Sequence, residues 1–464
     1  MKRLVFCFDG SWNRLDAPFS TNVVITAESV LPIAIDGTAQ AIFYDEGVGT
    51  RKGEKLSGGL FGHGIVENLG DAYRFLIFNH TPGDEIYVFG FSRGAYTARS
   101  FAGLLSACGI LRRGDAAKVT EAVLLYQQRK PRDVAYDARM MSFRRQYSPQ
   151  ICVSDDEDRW RSQNVPGYRS GSAPRLRITY LGVWDTVGAL GIPTRYRLLN
   201  FLDKKYEFHD TSLSPFIKSA RHAVAIDERR KDFVPTLWDN VPEMNTALGV
   251  AVEADDAPYQ QKWFPGVHGS VGGGGERRGL SDRTLDWVLD GARHQGLELD
   301  ASDHSRIFEL EPNYSEYLAN SPPPANPGVI DWLMALTPHA DRKPGPTALY
   351  EVAISARQRW LEAAEKLKDG VRYRPPTLEG VASQLNGLDP TKLGIDGTAE
   401  AIGPFTLYRV KRDDTLSAIA LAFYDNAEKW PIIFAANLEK LESPDRIYIG
   451  QSLRIPARKP PLGR

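Results

Sequence analysis

The chain has 464 residues, of which 42% are hydrophobic and 10% aromatic, so it can bury a large core and has the length of two or three domains. Lys and Arg number 57 against 58 Asp and Glu, a formal net charge of -1. This balance gives no global field that would favour nucleic acid as a partner. The three cysteines, Cys7, Cys108 and Cys152, lie far apart without Cys-x-x-Cys spacing, which argues against a disulfide framework and a zinc site.

The N-terminus has a basic pair and a short apolar run that is broken at Asp9. This run is too short for the apolar region of a signal peptide, and it predicts a first β-strand over Arg3–Phe8. No stretch approaches about eighteen uncharged apolar residues, so no transmembrane helix is predicted. We therefore expect a cytoplasmic location in the producing cell, with any export by a route other than a general secretion signal.

Predicted helices and strands alternate after this first strand. The apolar periodicity indicates a helix over Leu69–Asn79, a strand over Glu85–Phe89 and a helix over Ala95–Cys108. Such alternation normally builds a mostly parallel sheet with helices on both faces. Residues 112–173 are more polar and irregular, and we interpret them as an insertion or cap.

The remaining pattern divides the chain into domains. Strand-like runs return at Leu176–Trp184 and Tyr259–Pro265, and a helix is predicted at about Thr347–Leu367. Prolines and glycines then mark a linker over residues 381–403. The prediction is a large α/β domain over residues 1–380, the linker, a small domain over residues 404–456, and a basic, proline-rich tail over residues 457–464.

The strongest local motif is Gly-Phe-Ser-Arg-Gly, which places Ser92 between a predicted strand and a predicted helix. A sharp strand-to-helix turn exposes a serine hydroxyl, and flanking glycines let the neighbouring backbone pass without a Cβ clash. A nucleophilic serine needs a base and an acid that orients the base. Asp185 and His268 follow later strand-like runs in the order Ser, Asp, His that is typical of α/β hydrolases.

Other residues compete for these roles. His222 is an alternative base, although the apolar alternation around it also fits a core histidine, and Asp9, Asp45 and Asp227 are alternatives to Asp185. The backbone amides of Gly10 or Ser11 and of Arg93 are candidates for an oxyanion hole. Asp9 fits a turn-forming role equally well. The loop Tyr44–Thr50 could line the site, bind a cation or form a solvated turn.

Seven motifs carry a resemblance to a known family: FDGSWN, YDEGVGT, GFSRGAYTAR, LGVWDTVGALG, RHAVAIDERR, WFPGVHGSVGGG and YRPP. Together they resemble the α/β-hydrolase family that contains the first class of type VI secretion lipase effectors, which are antibacterial phospholipases. The resemblance covers about residues 1–380 and implies a triad of Ser92, Asp185 and His268. Gly269 and Ser270 stand where that family usually has Ser and Asp, and Gly275 replaces an aromatic residue.

Residues 404–456 resemble a LysM module along their whole length, from YRVKRDDTLSAIA to IGQSLRIP. The resemblance implies a βααβ fold and, in many LysM modules, a shallow groove for N-acetylglucosamine-containing glycans such as peptidoglycan. Core, turn and helix-cap chemistry explains much of the same pattern, and such a module can instead bind secretion machinery. By position, the implied groove residues are Asp413, Asp414, Thr415, Leu416, Pro444, Asp445, Arg446 and Ile447.

These patterns predict a serine acyl-ester hydrolase, first of all a phospholipase that acts on bacterial membrane phospholipids as an antibacterial type VI secretion effector. The alternatives are a soluble-ester or thioester hydrolase, and a non-catalytic peptidoglycan-binding or adaptor protein. We expect no required cofactor, with calcium left open, and delivery to the periplasm of a target cell. Expected partners are a phospholipid surface, peptidoglycan or secretion machinery, and an immunity protein. A segment rich in Leu, Tyr and Phe, Leu198–His209, fits either a lipid-facing lid or core packing.

Overall fold

A computed structural model gives the fold. The structure describes residues 1–10, 15–47, 59–128, 134–188, 212–254, 256–300, 302, 305–307, 309–322, 339–393, 405–411, 413–424, 426–437, 441, 443–448 and 451–456. A six-stranded parallel sheet organises the large domain, with strand order β2-β1-β3-β4-β5-β6. The strands are β1 (Arg3–Phe8), β2 (Gln40–Asp45), β3 (Glu85–Phe91), β4 (Tyr180–Trp184), β5 (Ala220–Ala225) and β6 (Tyr259–Phe264).

The register of the sheet brings the strand ends together. Phe8 pairs with Gly90, Phe91 pairs with Trp184, and Trp184 pairs with Ala223. All these strands run in the same direction, so the loops that follow their carboxyl ends share one edge of the sheet. In open α/β sheets this edge is where ligands bind.

Helices cover both faces of the sheet. The helices of the large domain are α1 (Asn22–Ser29), α2 (Gly59–Asn79), α3 (Arg93–Cys108), α4 (Val119–Gln127), α5 (Val134–Tyr147), α6 (Asp155–Asn164), α7 (Val241–Thr246), α8 (His268–Gly272), α9 (Gly279–His294), α10 (Ile354–Leu361) and α11 (Ala382–Asn386). Successive side chains of a strand point to opposite faces. Leu4 and Phe6 accordingly pack with α2 and α3, whereas Val5 and Cys7 pack with α1 and α9. The predicted fold class is thereby confirmed.

The polar segment 112–173 is folded more regularly than the sequence suggests. Its residues form α4, α5 and α6, and Val123, Tyr126 and Phe143 join the hydrophobic cluster of α2 and α3. An irregular sequence pattern thus corresponds here to three helices. Its assignment as an insertion or cap stays a prediction.

The first part of the predicted linker packs on the large domain. Leu378, Val381 and Leu385 are buried in one cluster with Trp263 and Trp360. Their spacing of three and four residues gives the short helices of this region one apolar face, which outweighs the nearby prolines and glycines. The chain is folded here through Leu393, which lies beyond the predicted start of the linker at residue 381. The helix predicted over Thr347–Leu367 consists of α10 flanked by short 3-10 turns.

The small C-terminal domain has the predicted βααβ order. Strands β7 (Phe405–Arg409) and β8 (Ser452–Pro456) pair antiparallel around helices α12 (Leu416–Tyr424) and α13 (Trp430–Ala436). Its core is a separate hydrophobic cluster whose buried residues include Val410, Leu416, Ile419, Ile433 and Leu453. Across the described residues of both domains, no helix has the length and apolar character needed to span a membrane.

Candidate active site

Ser92 occupies the sharp turn between β3 and α3. Its backbone has φ 58° and ψ −123°, a conformation that a non-glycine residue adopts only when the surrounding structure enforces it. The enforcement comes from close backbone contacts at the two glycines of the motif. A Cβ on Gly90 would lie 2.5 Å from the Gly94 carbonyl oxygen, and a Cβ on Gly94 would lie 2.2 Å from the Phe8 carbonyl oxygen. The predicted turn, its strand and its helix are therefore all present.

A chain of hydrogen bonds joins the three residues predicted as a triad. His268 Nε2 lies 2.8 Å from Ser92 Oγ, and His268 Nδ1 lies 2.6 Å from Asp185 Oδ2. With a neutral imidazole, Nδ1 donates to the carboxylate and Nε2 accepts the serine proton. All three side chains are buried, so the structure brings together Ser92, Asp185 and His268 across 176 residues of sequence.

The Asp185 carboxylate accepts four hydrogen bonds. Oδ1 accepts from Ala225 N at 2.9 Å and from Arg342 Nη1 at 2.5 Å, while Oδ2 accepts from Arg342 Nη2 at 2.8 Å and from His268. Burial alone would raise the pKa of Asp185, but the Arg342 guanidinium and the His268 hydrogen bond hold it well below its ordinary value. Asp185 is therefore held as a carboxylate. Arg342 was not foreseen from the sequence.

His268 begins helix α8 and is held on several sides. Its ring packs against Phe91 at a centroid distance of 4.6 Å and edge-on against Phe233 at 4.8 Å. Its backbone N–H donates to Glu228 Oε2 at 3.2 Å. Gly266, two residues earlier, has φ 108°, and a Cβ there would lie 2.5 Å from Ser270 Cβ. The aromatic rings and the backbone hydrogen bond together restrict the imidazole to the orientation that reaches Ser92.

The alternative residues have other partners. His222 is fully buried on β5, where Nδ1 lies 2.9 Å from Gln261 Oε1 and Nε2 accepts Thr186 N–H at 3.2 Å. Burial lowers the pKa of His222 to about 3, as fits the core histidine foreseen as an alternative. Asp45 accepts a short hydrogen bond from Asn68. Residues 48–50 of the Tyr44–Thr50 loop lie outside the described residues.

The oxyanion-hole candidates divide into three cases. The Gly10 amide donates to Asp9 Oδ1 at 2.6 Å, and Asp9 Oδ2 also accepts from Thr21 Oγ1 at 2.7 Å. These contacts agree with a turn-forming role for Asp9 and commit the Gly10 amide to it in this structure. Ser11, like the candidate lid Leu198–His209, lies outside the described residues. Arg93 is the first residue of α3, and its role stays a prediction.

Two of the three residues that depart from the family motif near His268, Gly269 and Gly275, lie against the same side chain, that of Asn320. A Cβ on Gly269 would lie 2.4 Å from Asn320 Nδ2, and a Cβ on Gly275 would lie 2.3 Å from the same atom. Both glycines therefore make room for the Asn320 side chain, where a larger residue would collide with it. Ser270 donates from Oγ to the Leu318 carbonyl oxygen at 2.6 Å, so it anchors the turn that follows His268.

In the small domain, the first group of predicted groove residues forms a capped turn. Asp413 has φ 65°, and the Asp414 carboxylate accepts from Lys411 N at 2.6 Å and Tyr408 OH at 2.8 Å. Thr415 Oγ1 accepts from Ala418 N at 3.0 Å and so caps α12. Leu416 is buried in the core. These contacts are the turn and cap chemistry named as the alternative to glycan binding.

The second group of groove residues, Pro444–Ile447, lies near the large domain. Arg446 Nη2 is 3.9 Å from Asp256 Oδ1, and the adjacent Tyr448 hydroxyl lies 3.0 Å from His294 Nε2 at the end of α9. Arg293 also stacks over the Tyr448 ring. Sequence patterns gave no indication of this contact. Within the described residues, no group of three or more His, Cys, Asp or Glu side chains is arranged to hold a metal ion.

A serine, histidine and aspartate in this arrangement on a parallel sheet define the hydrolase class of site. Comparison with known proteins gives the family. Residues 2–291 match the model of the Tle1-like phospholipase effector catalytic domain of the type VI secretion system, and residues 408–456 match the LysM domain. The first match spans more than half of the chain, so the chain belongs to the Tle1-like effector family and ends in a LysM domain. Both predicted resemblances are confirmed.

Curated relatives match parts of the chain. An uncharacterized protein of Saccharomyces cerevisiae is 27% identical over 256 residues, which are 52% of this chain and 33% of that protein. The potassium binding protein Kbp of Escherichia coli is 39% identical over 93 residues, which are 20% of this chain and 57% of that protein. The chain thus spans about a third to somewhat over half of the length of these relatives.

Two solved structures are similar to parts of the chain. An uncharacterized protein from Pseudomonas aeruginosa has a TM-score of 0.37 and 16% identity, covering 68% of this chain and 49% of that one. The Tle1 effector bound to the VgrG spike of the type VI secretion system has a TM-score of 0.30 and 18% identity, covering 59% of this chain and 51% of that one.

Proposed function

We propose that this protein is a serine phospholipase of A type that hydrolyses acyl esters of bacterial membrane glycerophospholipids. The observation that carries the proposal is the continuous hydrogen-bonded chain from Asp185 through His268 to Ser92. Ser92 Oγ attacks the ester carbonyl while His268 takes its proton and then returns it to the leaving alcohol. Asp185 holds the imidazole in the tautomer that this exchange needs. Water then releases the acyl group from Ser92.

Membership of the Tle1-like family supports an antibacterial role after delivery to the periplasm of a target cell. The LysM domain is proposed to bind peptidoglycan there or to engage the secretion machinery, and an immunity protein is proposed to protect the producer. The proposed mechanism through Ser92 uses no cofactor, and vesicle assays with calcium and with a chelator would show whether the metal contributes. The amides of Arg93 and of Ser11, in the loop after β1, are proposed to stabilise the oxyanion.

The test follows fatty acid and lysolipid released from phospholipid vesicles, with added calcium and with a chelator. Wild type is compared with Ser92→Ala and with Ser106→Ala, which removes a serine of the same helix away from the triad. We expect release by wild type and Ser106→Ala, and a loss of at least about 1000-fold in Ser92→Ala. The position of the released acyl chain gives the positional specificity.

The other outcomes separate the alternatives. If wild type hydrolyses a short-chain ester but releases nothing from vesicles, the proposed triad would be retained. The substrate would then be a soluble ester or thioester. If wild type hydrolyses neither substrate, the proposal of an enzyme would be contradicted, and a non-catalytic peptidoglycan-binding or adaptor protein would be favoured. Dependence of release on calcium would add a metal to the mechanism.

A further inference from the structure

Arg342 reaches the triad from a distant part of the chain and is held by backbone on its other side. Besides its two bonds to Asp185, it donates from Nη1 to the Ala225 carbonyl oxygen at 2.9 Å and from Nη2 to the Phe233 carbonyl oxygen at 2.8 Å. Its side chain is only 3% exposed. A triad needs only the carboxylate to orient histidine, so a buried guanidinium that is bonded through both of its terminal nitrogens calls for a separate explanation.

We propose that Arg342 is a positioning residue of the hydrolase, which fixes the orientation of the Asp185 carboxylate and offsets its negative charge beside His268. This inference rests on the proposed serine hydrolase function and deepens it. Arg342 acts through Asp185 and does not itself touch the serine.

The first part of the argument is geometric. A bidentate pair between guanidinium and carboxylate joins two planar groups by parallel hydrogen bonds, so the Asp185 carboxylate cannot rotate without breaking both. The Ala225 amide adds a third fixed donor at 2.9 Å. The carbonyls of Ala225 and Phe233 in turn fix the guanidinium. The acceptor lone pair that faces His268 Nδ1 is therefore aimed before substrate binds.

The second part is electrostatic. Arginine remains charged under all working conditions, so Asp185 and Arg342 together are neutral. A lone buried carboxylate would hold the imidazolium tightly once His268 takes the serine proton. The paired carboxylate stabilises it less, which eases return of the proton to the leaving group. Among the described residues, the charged groups near His268 also include Glu228, which accepts its backbone N–H, and Arg230, which forms an ion pair with Glu228 at 2.7 Å.

The segment that carries Arg342 docks on the loop that supports His268. Ala340 N–H donates to the Arg229 carbonyl oxygen at 2.8 Å, and Asp341 pairs with the Arg229 side chain at 3.0 Å. The same loop continues to Phe233, whose ring contacts His268. The position of Arg342 is thus fixed by the same loop that contacts His268.

Two variants separate the two parts. Arg342→Gln removes the charge and the bidentate pair, whereas Arg342→Lys keeps the charge and loses the pair. Arg161→Gln is the matched control, because Arg161 also pairs with a buried carboxylate, Glu157, at 2.6 Å and donates to two backbone carbonyls, those of Ser148 and Pro149. The readout is the rate at which a fluorophosphonate probe labels Ser92 from pH 5 to 9, per folded molecule as measured by gel filtration and thermal unfolding.

Labelling needs the activated serine but no lipid, so the test does not depend on the natural substrate. We expect Arg342→Gln to lower the plateau rate about 10- to 100-fold and to move the acidic limb of the profile upward by about one pH unit. Arg342→Lys should lower the plateau labelling rate without shifting the acidic limb of the pH profile. Arg161→Gln should lower the unfolding temperature and change neither.

Three results would overturn the proposal, and a fourth applies if Arg342→Gln does not fold. An unchanged plateau and limb in folded Arg342→Gln would contradict the positioning role while leaving the hydrolase intact. Equal changes in Arg161→Gln would make the effect a general loss of structure. Failure of wild type to label, when a known serine hydrolase in the same reaction does label, would remove the proposed function and this inference with it. If Arg342→Gln does not fold, Arg342→Lys with a wild-type plateau contradicts the geometric part.

Discussion

Asp185 and Asp227 lie just beyond the carboxyl ends of neighbouring strands, β4 and β5. Their surroundings nevertheless shift the pKa values of the two carboxyl groups in opposite directions. Asp185 is fully buried and receives Arg342 directly, and its pKa lies well below the ordinary value. Asp227 is partly buried, and its carboxylate accepts from Gly266 N at 2.7 Å and Tyr373 OH at 2.9 Å. Desolvation raises the pKa of Asp227 to about 6 despite both hydrogen bonds.

The difference lies in the cation. Among the described residues, no cation forms an ion pair with Asp227, and the nearby Arg359 pairs with Asp369 instead. Neutral donors leave desolvation dominant, whereas one guanidinium in direct contact overcomes it. The two aspartates also differ in what they hold, because Asp185 contacts His268, the proposed base, whereas Asp227 accepts from the backbone N–H of Gly266 in the turn that precedes it.

The comparison is tested most severely by Asp185→Asn. An amide in place of the carboxylate would point an N–H donor at a second donor, on either Arg342 or His268. It would also leave the Arg342 guanidinium without a charged partner. We expect hydrolysis to fall about 10,000-fold and the free energy of unfolding to fall by about 3 to 5 kcal/mol. Ester turnover per folded molecule and thermal unfolding measure the two effects.

Asp227→Asn is the matched control for that substitution, since it makes the same change on the adjacent strand. It should keep hydrolysis within about tenfold of wild type, because the amide oxygen can still accept from Gly266 N. A loss equal to that of Asp185→Asn would remove the distinction between the two aspartates.

The second prediction concerns stability against pH. A carboxyl whose pKa is raised on folding binds its proton more tightly in the native state, so its contribution is fully present below about pH 4 and declines until about pH 6. Relative to Asp227→Asn, wild type should therefore lose on the order of 2 kcal/mol between pH 4 and pH 7. This amount is less than the full shift implies, because the side chain is partly exposed. The contribution of Asp185 cancels in this comparison, because both proteins carry the same Arg342-paired carboxylate.

Thermal unfolding of wild type and Asp227→Asn at half-unit steps of pH provides the measurement. A constant difference between the two proteins across the range would show that the carboxyl is ionised throughout. In that case the missing cation would not be the feature that separates Asp227 from Asp185.

The sequence allowed the prediction of the triad and not of its support. Ser92, Asp185 and His268 each follow a strand, and parallel strands align their ends, so local pattern and sheet geometry suffice to bring them together. Arg342 is 157 residues from Asp185 and stands in a proline-dense stretch without periodicity, so only the folded chain brings them together. Helix α6 escaped prediction for a different reason. Its buried residues are Glu157 and Arg161, an ion pair rather than an apolar stripe.

The smallest expected effect comes from Tyr373→Phe, which removes one donor from Asp227 and keeps the ring. A hydrogen bond to an ionised carboxylate is stronger than one to a neutral carboxyl. The loss in free energy of unfolding should therefore be about 1 to 2 kcal/mol at pH 8 and about half of that at pH 5. Urea unfolding at the two pH values measures it.

The double variant with Asp227→Asn identifies the source of this pH dependence. With an amide at position 227, the Tyr373 hydroxyl has no ionisable acceptor at that position. The loss in free energy of unfolding on removing the hydroxyl should therefore be equal at pH 5 and pH 8. A cost that still grows with pH in the double variant would assign the effect to another group of the same cluster, with Asp369 as the nearest candidate. Equal costs at both pH values in the single variant would mean that Asp227 does not titrate between them, and the contrast with Asp185 would then rest on catalysis alone.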